Sequence, residues 1–336
     1  MIVCNLLCLV NQCTAFYFSI TKTVAIIRYK YYNICMVRYN KLADYYKDKF
    51  GERVLKICVD GGFTCPNRDG TKSVGGCIFC SERGSGEHIK HTDIREQVLK
   101  HLGSYRGERA KKFIVYFQNF SNTYAPIEKL KEVYDSALVS DKIIGLSIAT
   151  RPDCIDEKIV ALLKSYTDRY YVMVELGLQT ADEDLMLQLN LNYTLAEWKR
   201  AVKLLNDAGI DVVTHIILGL PNETKTSIDK TINIINNSSV RGVKIHNLYI
   251  IKDTVCEKMY LRREIQEIKC EEYLHKLQYV ITHLRPDIVI HRISGDPPRE
   301  LLVAPHWTTH KKYILNGIDR SLKENNLYQG IYYTHS

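Results

Sequence analysis

The sequence predicts an α/β fold in which parallel strands curl into a full or partial barrel. Short apolar runs alternate along the chain with longer amphipathic stretches of helical period, a pattern typical of βαβ units and parallel sheets. Polar residues also follow the ends of successive apolar runs. In such barrels the active site lies at the carboxyl ends of the strands, so these polar residues are expected to converge on one mouth.

Seven apolar runs have the length and composition of strands, and six or seven βα units are enough to form a barrel. No repeat, low-complexity tract or linker-like segment interrupts the pattern between residues 36 and 336. The predicted strands are Val54–Val59, Phe113–Phe117, Ile143–Ala149, Tyr171–Leu178, Val212–Leu220, Val243–Ile251 and Ile288–Ile293.

Helices are predicted between most of these strands from apolar residues at three- and four-residue steps. One of them opens on Thr194 with Glu197 three residues later, the pattern of a capping box, and stops at Gly209. Another begins at Asp156, which is a suitable N-cap residue. The predicted helices are Ile127–Leu138, Asp156–Leu163, Thr194–Ala208, Thr224–Asn236 and Cys270–Leu284.

The composition is that of a globular protein, with 46% apolar and 25% charged residues in 336. The formal charge of +8 permits an anionic partner such as RNA but is equally compatible with an enzyme that has no polymer partner. Eleven cysteines in a chain of this length indicate a metal site plus buried thiols rather than a disulfide framework. We interpret the isolated Cys58, Cys154, Cys256 and Cys270 as buried thiols.

Residues 1–35 differ from the rest of the chain. The stretch Met1 to Thr21 has no charged residue and approaches the length of a membrane span, about 20 residues, but Asn5, Asn11 and Gln12 weaken that interpretation. No basic segment precedes it as in a signal peptide. We interpret residues 1–35 as an apolar extension outside the functional domain and hypothesise that Met36 is the native start.

Three cysteines in the glycine-rich stretch Gly61 to Gly86 are the strongest chemical signal. Cys77 and Cys80 form a C-x2-C pair, and Cys65 precedes them across a loop rich in Gly, Asn and Asp. Thiolates suit zinc, copper(I) and iron–sulfur clusters. Structural zinc takes four protein ligands, and this stretch offers three sulfurs with no second C-x2-C pair in the chain. Three thiolates on a four-iron cluster would leave one iron free to bind another molecule.

Polar residues stand at or near the ends of five further predicted strands. Singly, each has an ordinary structural interpretation, such as a salt-bridged Glu or an Asp helix cap. Together they favour one active-site mouth. They are Gln118 and Asn119 after the second strand, Thr150 and Arg151 after the third, Glu175 and Gln179 on the fourth, His215, Gly219 and Leu220 on the fifth, and Lys244 and His246 on the sixth.

From Met36 to about His310 the chain resembles the radical S-adenosylmethionine (SAM) superfamily, and specifically its YhcC-like branch. The wide cysteine spacing departs from the superfamily's commonest C-x3-C-x2-C, fits this branch, and is similar in style to the catalytic subunit of Elongator. The resemblance is carried by VDGGFTCPNRDG, GGCIFCSERGSG, YFQNFSNTYAP, GLSIATRPDCI, VELGLQT, HIILGLPNET and SGDPPRELLVAPHW.

The resemblance implies a partial (β/α)6 TIM-like barrel and one 4Fe–4S cluster held by Cys65, Cys77 and Cys80. The open iron would chelate SAM, and electron transfer would cleave SAM to a 5′-deoxyadenosyl radical that abstracts hydrogen. By position, Gln118 and Asn119 would contact the methionine amino group, although the usual Gly-Gly-Glu is absent there. The other expected SAM contacts are Thr150 and Arg151 to the methionine carboxylate, Glu175 and Gln179 to the ribose, and Gly219 and Leu220 to the adenine.

The resemblance also implies a core domain over residues 36–293 with a C-terminal extension over 294–336. Members of this branch are similar to tRNA-modifying enzymes of the MnmL type, which act on the C5 side chain of wobble uridine. A cytoplasmic enzyme with tRNA as substrate, a reducing partner such as flavodoxin or ferredoxin, and no membrane association is therefore expected. Two alternatives stay open: a radical SAM enzyme on a small molecule, similar to oxygen-independent coproporphyrinogen oxidase, and a metal-binding module without catalysis.

Overall fold

A computed structural model describes residues 37–84, 86–87, 89, 92–104 and 107–334. The predicted apolar extension and the hypothesised start at Met36 therefore lie outside the described residues. From Tyr39 onward the chain forms one compact unit. None of the helices in these described ranges combines the length and the apolar composition that crossing a bilayer requires.

Seven parallel strands of the described chain form one curled sheet in the order β1-β2-β3-β4-β5-β6-β8. The end strands β1 and β8 are not paired with each other, so the sheet is a half-barrel, as predicted. Each crossover between consecutive strands places a helix on the outer face. The strands are β1 Val54–Val59, β2 Lys112–Phe117, β3 Ile143–Thr150, β4 Tyr171–Gln179, β5 Asp211–Leu218, β6 Gly242–Asn247 and β8 Val289–Arg292.

The helices pack against the convex face of the sheet or extend its two ends. A short 3-10 turn, Pro152–Cys154, follows β3, and a second, His306–Thr309, lies just before the last helix. The α-helices are α1 Leu42–Phe50, α2 Ile94–Leu102, α3 Ile127–Ala137, α4 Glu157–Lys164, α5 Glu183–Gln188, α6 Leu195–Asp207, α7 Lys225–Asn236, α8 Val255–Leu261, α9 Cys270–His283 and α10 Lys311–Glu324.

Local sequence signals fix the ends of several helices. The Thr194 side chain accepts from the backbone N–H of Glu197, and the Glu197 carboxylate accepts from the N–H of Thr194, so the predicted capping box of α6 is confirmed. Asp156 caps α4 by accepting from the N–H of Ile159 at 2.8 Å. These caps satisfy N–H groups that have no partner within the helix.

The predicted strand Val243–Ile251 is wrong in one respect, because it comprises two strands. The chain leaves the barrel after β6, and Ile250–Ile251 form a short β7. β7 pairs antiparallel with β9, Leu302–Ala304, in a separate two-stranded sheet. Nothing in the sequence indicated this break, because apolar residues continue beyond it. They continue because Leu248 and Ile250 are buried in a second hydrophobic core beside the barrel.

Successive side chains of each strand point alternately to the helices outside the barrel and to the barrel interior. The outward side chains, among them Ile57, Val115, Leu146 and Val174, pack under the helices in the main hydrophobic core. The inward side chains at the middle of the barrel are polar. At the amino-terminal end of the barrel the Tyr46 hydroxyl of α1 reaches the Met173 sulfur at 3.5 Å. The polar interior is open instead at the opposite end, where the carboxyl ends of the strands lie.

Candidate active site

The cysteines lie on the long loop between β1 and α2, at the carboxyl ends of the strands. The guanidinium of Arg68 donates to the carbonyl of Cys80 at 2.8 Å and also to the carbonyl of Ser81. The side-chain amide of Asn67 points at the Cys77 sulfur, 3.6 Å away. Asn67 and Arg68, which lie between Cys65 and Cys77, thus help to fix the positions of Cys77 and Cys80.

A segment after α5 anchors this loop to the barrel. Asn67 donates to the carbonyl of Asn190 at 2.7 Å, and the side chain of Asn190 donates to the carbonyl of Gly76, also at 2.7 Å. Asn192 donates to the Asn67 side-chain oxygen at 2.7 Å. Asn190 and Asn192 adopt positive φ angles of 54° and 53°, which asparagine tolerates better than most residues. The cysteine loop is therefore held both by hydrogen bonds within the loop and by hydrogen bonds to Asn190 and Asn192.

All three cysteines line one cavity that runs from the loop into the barrel. Burial raises the pKa of Cys77 to about 12, and the neighbouring thiols of Cys80 and Cys65 act in the same direction. Burial also raises the pKa of Cys80, against the effect of Arg68. Burial therefore disfavours the free thiolates of Cys77 and Cys80, and a bound metal would stabilise them.

Three thiols of the described chain make up the sulfur donors at this cavity. Within the described ranges, no three His, Cys, Asp or Glu side chains are arranged to hold a single metal ion. Iron–sulfur clusters are held by cysteine thiolates, so the chemistry of this donor set is compatible with a cluster.

Arg151 stands at the cavity beside the cysteine loop. Its Nε and Nη2 atoms each donate to Asp153 at 2.9 Å, and its guanidinium stacks over the Tyr193 ring, 5.0 Å from the centroid. The Nη1 atom has no hydrogen-bond partner among the described residues. The neighbouring Thr150 hydroxyl pairs with that of Thr123 at 2.7 Å. Arg151 is therefore fixed in position while its Nη1 N–H donors are available to a ligand.

Glu175, on β4, is the centre of the barrel interior, and its side chain is 0% exposed. Its carboxylate accepts from Ser147 at 2.9 Å, His215 at 2.8 Å and Lys244 at 2.7 Å, and it pairs with Lys56. Burial raises the pKa of Glu175, but attraction to Lys244 and Lys56 outweighs it and holds the pKa well below its usual range. Glu175 is therefore ionised.

The groups around Glu175 respond to burial and to one another. Burial lowers the pKa of His215 to about 4, with Lys244 acting in the same direction and Glu175 opposing. Burial likewise lowers the pKa of Lys244 to about 8; Glu175 opposes, and Arg292 and Lys56 add to the decrease. Burial also holds the pKa of His246 well below its usual range. At neutral pH the histidines are neutral, and the interior charges belong to the lysines, Arg292 and Glu175.

Sequence profiles of known families match most of the chain. Residues 65–235 match the profile of the radical SAM superfamily, and residues 240–324 match that of the radical SAM C-terminal domain. The first match begins at Cys65, the first of the three cysteines that line the cavity. The chain belongs to the radical SAM superfamily. It is accordingly an enzyme of this superfamily, whose members typically bind a 4Fe–4S cluster and SAM.

Full-length relatives confirm the predicted branch of the radical SAM superfamily. YtqA of Bacillus subtilis is 38% identical over 299 residues, which cover 88% of this chain and 93% of YtqA. YhcC of Escherichia coli is 35% identical, covering 82% of this chain and 90% of YhcC. A tRNA uridine(34) acetyltransferase of Methanocaldococcus jannaschii is more distant, at 27% identity over 53% of this chain and 32% of that protein.

A solved structure confirms the radical SAM fold. The archaeal Elp3 of Methanocaldococcus infernus superposes with a TM-score of 0.63 at 17% sequence identity. The similarity covers 82% of this chain and 64% of the Elp3 chain. At this identity the comparison speaks for the architecture alone, and the predicted partial barrel is confirmed by it.

The structure brings together only part of the set of predicted SAM-contacting residues. Asn119 lies outside the lining of the cavity and donates to Asp60 at 3.1 Å beneath the loop. Gly219 and Leu220 also lie outside it; the Gly219 N–H donates to Glu223 at 3.0 Å. The predicted SAM contacts that do line the cavity with the cysteines are Gln118, Thr150, Arg151, Glu175 and Gln179.

Some residues of this radical SAM site were not predicted. Lys56 on β1 and Ser147 on β3 hold Glu175, and a Lys between apolar neighbours in a strand was an available signal. Arg292 on β8 lines the cavity, and nothing in the sequence indicated which face of that strand it occupies. Asn190 was also missed, although the repeated Asn of the segment LNLNY indicates residues that tolerate positive φ.

Proposed function

We propose that Cys65, Cys77 and Cys80 hold one 4Fe–4S cluster and that SAM binds beside it in the cavity. The observation that supports this most directly is that the three thiols share one cavity with residues from the ends of β2, β3 and β4. When bound, the cluster supplies the electron for reductive cleavage of SAM, the chemistry of this superfamily. The protein's own contribution is to bind, orient and keep out water.

Arg151 is the residue best prepared to bind the methionine carboxylate of SAM. Asp153 fixes one edge of the guanidinium, and the remaining Nη1 donors have no protein partner in the described ranges. Charge-assisted hydrogen bonds of this kind are about twice as strong as neutral ones. Thr150 lies next to it on the same strand end. We propose the ribose contacts for Gln179 and Glu175, and the amino-group contact for Gln118.

Aromatic side chains restrict water at this cavity. Phe79 lies between Cys77 and Cys80, and Phe120 follows β2; both line the cavity, as does Tyr249. Exclusion of water protects reactive species from side reactions and strengthens the electrostatic interactions inside. These three rings therefore supply apolar wall to a cavity that is otherwise rich in polar side chains.

We propose that the substrate is tRNA, modified on the C5 side chain of wobble uridine. Support comes from the relative described as a tRNA uridine(34) acetyltransferase and from the formal charge of +8, which favours binding to a polyanion. The 23 tyrosines offer rings on which unpaired bases stack. A flavodoxin- or ferredoxin-like protein would supply the electron in the cytoplasm, where thiols stay reduced.

Anaerobic reconstitution followed by incubation with SAM, dithionite and bulk tRNA tests the proposal in two stages. A brown protein with about four irons that forms 5′-deoxyadenosine supports the cluster and SAM assignments. A colourless zinc protein that leaves SAM intact contradicts them. Nucleoside analysis of tRNA from a strain lacking the gene then tests the substrate. Unchanged wobble uridines would contradict tRNA and favour a small-molecule substrate.

A further inference from the structure

The barrel interior contains a charge imbalance on the side of β6 and β8. At the level of Glu175, three cationic side chains face inward: Lys56, Lys244 and Arg292. Glu175 is the anion that both lysines contact. Cations partly withdrawn from water are unfavourable unless they are paired, and among these groups Arg292 has no anion of its own.

Arg292 differs from every other arginine at the cavity. Arg68 donates to two backbone carbonyls and Arg151 is paired with Asp153. The half-buried guanidinium of Arg292 makes no hydrogen bond or ion pair with any described residue. Asp296, the acidic residue nearest in sequence at the cavity, is paired with Lys311 at 3.1 Å. The donors of Arg292 are thus free for a ligand.

A β-bulge aims Arg292 into the barrel. Val243 of β6 is opposite Ile290, but the next residue, Lys244, is opposite Arg292, so His291 is the extra residue of β8. Without this shift Lys244 would face His291, and alternation would turn Arg292 to the outer face. Bulges occur next to active sites, where they redirect a side chain. The bulge places two cationic side chains on adjacent strands, about 5 Å apart in backbone position.

Arg292 also lies away from the residues proposed for SAM. Gln118, Thr150, Arg151 and Gln179 stand at the ends of β2, β3 and β4, whereas β8 is the last strand of the sheet. Of the proposed SAM contacts, Glu175 lies deeper, in the middle of β4, and Lys244 separates it from Arg292. Burial holds the pKa of His291 well below its usual range, and both ring nitrogens lack a hydrogen-bond partner in the described part of the chain. The β8 side of the interior therefore presents polar groups that the cluster and SAM leave unused.

We infer that Arg292, beside Lys244, binds a negatively charged oxygen group of the substrate, a carboxylate or a phosphate. A guanidinium presents two parallel N–H donors that match either group. The inference rests on the proposed function only in taking the bound molecule to be the substrate of the radical reaction. The anion would fix the substrate on the far side of the cavity from the cysteines.

Calorimetric titration of the anaerobically reconstituted protein with malonate and with inorganic phosphate tests this inference. Wild type is expected to bind at least one anion, and Arg292→Met to bind it about ten- to a hundredfold more weakly. Arg292→Lys should retain part of the affinity, which separates lost charge from misfolding. Arg299→Met, an exposed arginine outside the cavity lining, is the matched control and should bind as wild type does. Tighter malonate binding identifies a carboxylate, and tighter phosphate binding a phosphate ester.

Three results would overturn the inference: no binding of either anion by wild type, equal affinity of Arg292→Met, or displacement of the anion by SAM. The last would mean that Arg292 serves the methionine carboxylate. These outcomes differ from failure of the proposed function, which would appear as absence of SAM cleavage by wild type. A protein that binds the anion through Arg292 but leaves SAM intact would keep this inference and reject the function.

Discussion

The side-chain amide of Asn67 donates to the backbone carbonyl of Asn190 at 2.7 Å and lies 3.6 Å from the Cys77 sulfur. One buried amide thus joins the cysteine loop to the barrel wall and contacts the thiol of Cys77, a proposed cluster ligand. Asn67 is 0% exposed, so its partners have no water to replace it. The position of Cys77 depends on a contact between segments more than a hundred residues apart.

Asn67→Ala is expected to loosen the loop while leaving the barrel folded. It removes the amide that donates to the Asn190 carbonyl and the oxygen that accepts from the Asn192 amide, which costs roughly 1–3 kcal/mol. The Asn192 amide keeps its bond to the Asn190 side chain at 2.8 Å. Iron per chain after reconstitution should fall well below that of wild type. Circular dichroism should retain the wild-type helix and strand signal. Asn233→Ala, an exposed asparagine on α7, is the control and should keep wild-type iron. Full iron retention by Asn67→Ala would contradict the anchoring role.

Cys77→Ala is expected to abolish cluster binding and SAM cleavage with little effect on the fold, because the ligands lie on a loop above an already formed barrel. Iron analysis and visible absorbance should show loss of about four irons. Cys270→Ala changes a buried thiol at the start of α9, outside the cavity, and should retain the cluster. A Cys77→Ala protein that binds four irons and cleaves SAM would disprove the ligand assignment.

Glu175→Gln is expected to destabilise the protein by roughly 3–5 kcal/mol, because it leaves Lys56 and Lys244 buried without their anion. Urea unfolding at pH 7 measures the change. The control Glu157→Gln removes an ion pair with Arg200 in which both side chains are exposed. Its effect should be much smaller, because water screens an exposed ion pair. Similar losses for the two variants would show that the interior charges are not coupled as described.

His215 makes stability depend on pH. Its folded pKa of about 4 lies below the unfolded value near 6.5, so the unfolded chain takes up the proton first as the pH falls. The stability from neutral His215 is complete above about pH 6.5 and is lost between there and about pH 4. Between pH 7 and pH 5 the loss from this residue should be about 2 kcal/mol.

Urea unfolding at pH 7 and pH 5 tests this dependence in His215→Gln, which keeps an amide donor for Glu175. The variant should lose about 2 kcal/mol less than wild type over that interval. His246 and His291, whose pKa values burial also lowers, remain in both proteins and cancel in the comparison. His275→Gln on the exposed side of α9 is the matched control. Equal losses in wild type and His215→Gln would show that His215 is not held neutral.

The parts of the fold with strong local signals were predictable. The strands Val54–Val59 and Ile143–Thr150 match apolar runs to within one residue. Ile143–Thr150 is buried on both faces, which leaves a nearly continuous apolar sequence. The helix after Thr194 carries its own start signal. The predicted strand Val243–Ile251 is divided in two because its last residues pair with Leu302–Ala304. A partner more than fifty residues away cannot be inferred from the local pattern of apolar residues.

The site divides in the same way. The position of Cys65, Cys77, Cys80 and Arg151 at one cavity was predictable from the spacing of the cysteines and from the place of Arg151 after a strand. Their roles stay predictions. The position of Arg292 was not predictable, because a bulge breaks the two-residue alternation from which its direction would be inferred. The predicted SAM roles of Asn119, Gly219 and Leu220 stay predictions, and these residues lie outside the cavity that the cysteines share.

The carboxylate of Glu175 has a mechanical consequence for the whole barrel. Through its four partners it links β4 to β1, β3, β5 and β6, so five of the seven strands meet at one point. Any widening or flattening of the sheet has to stretch these bonds together. The distances between these strands are thereby set before any ligand binds. The half-barrel is therefore expected to be rigid although β1 and β8 are not hydrogen-bonded to each other.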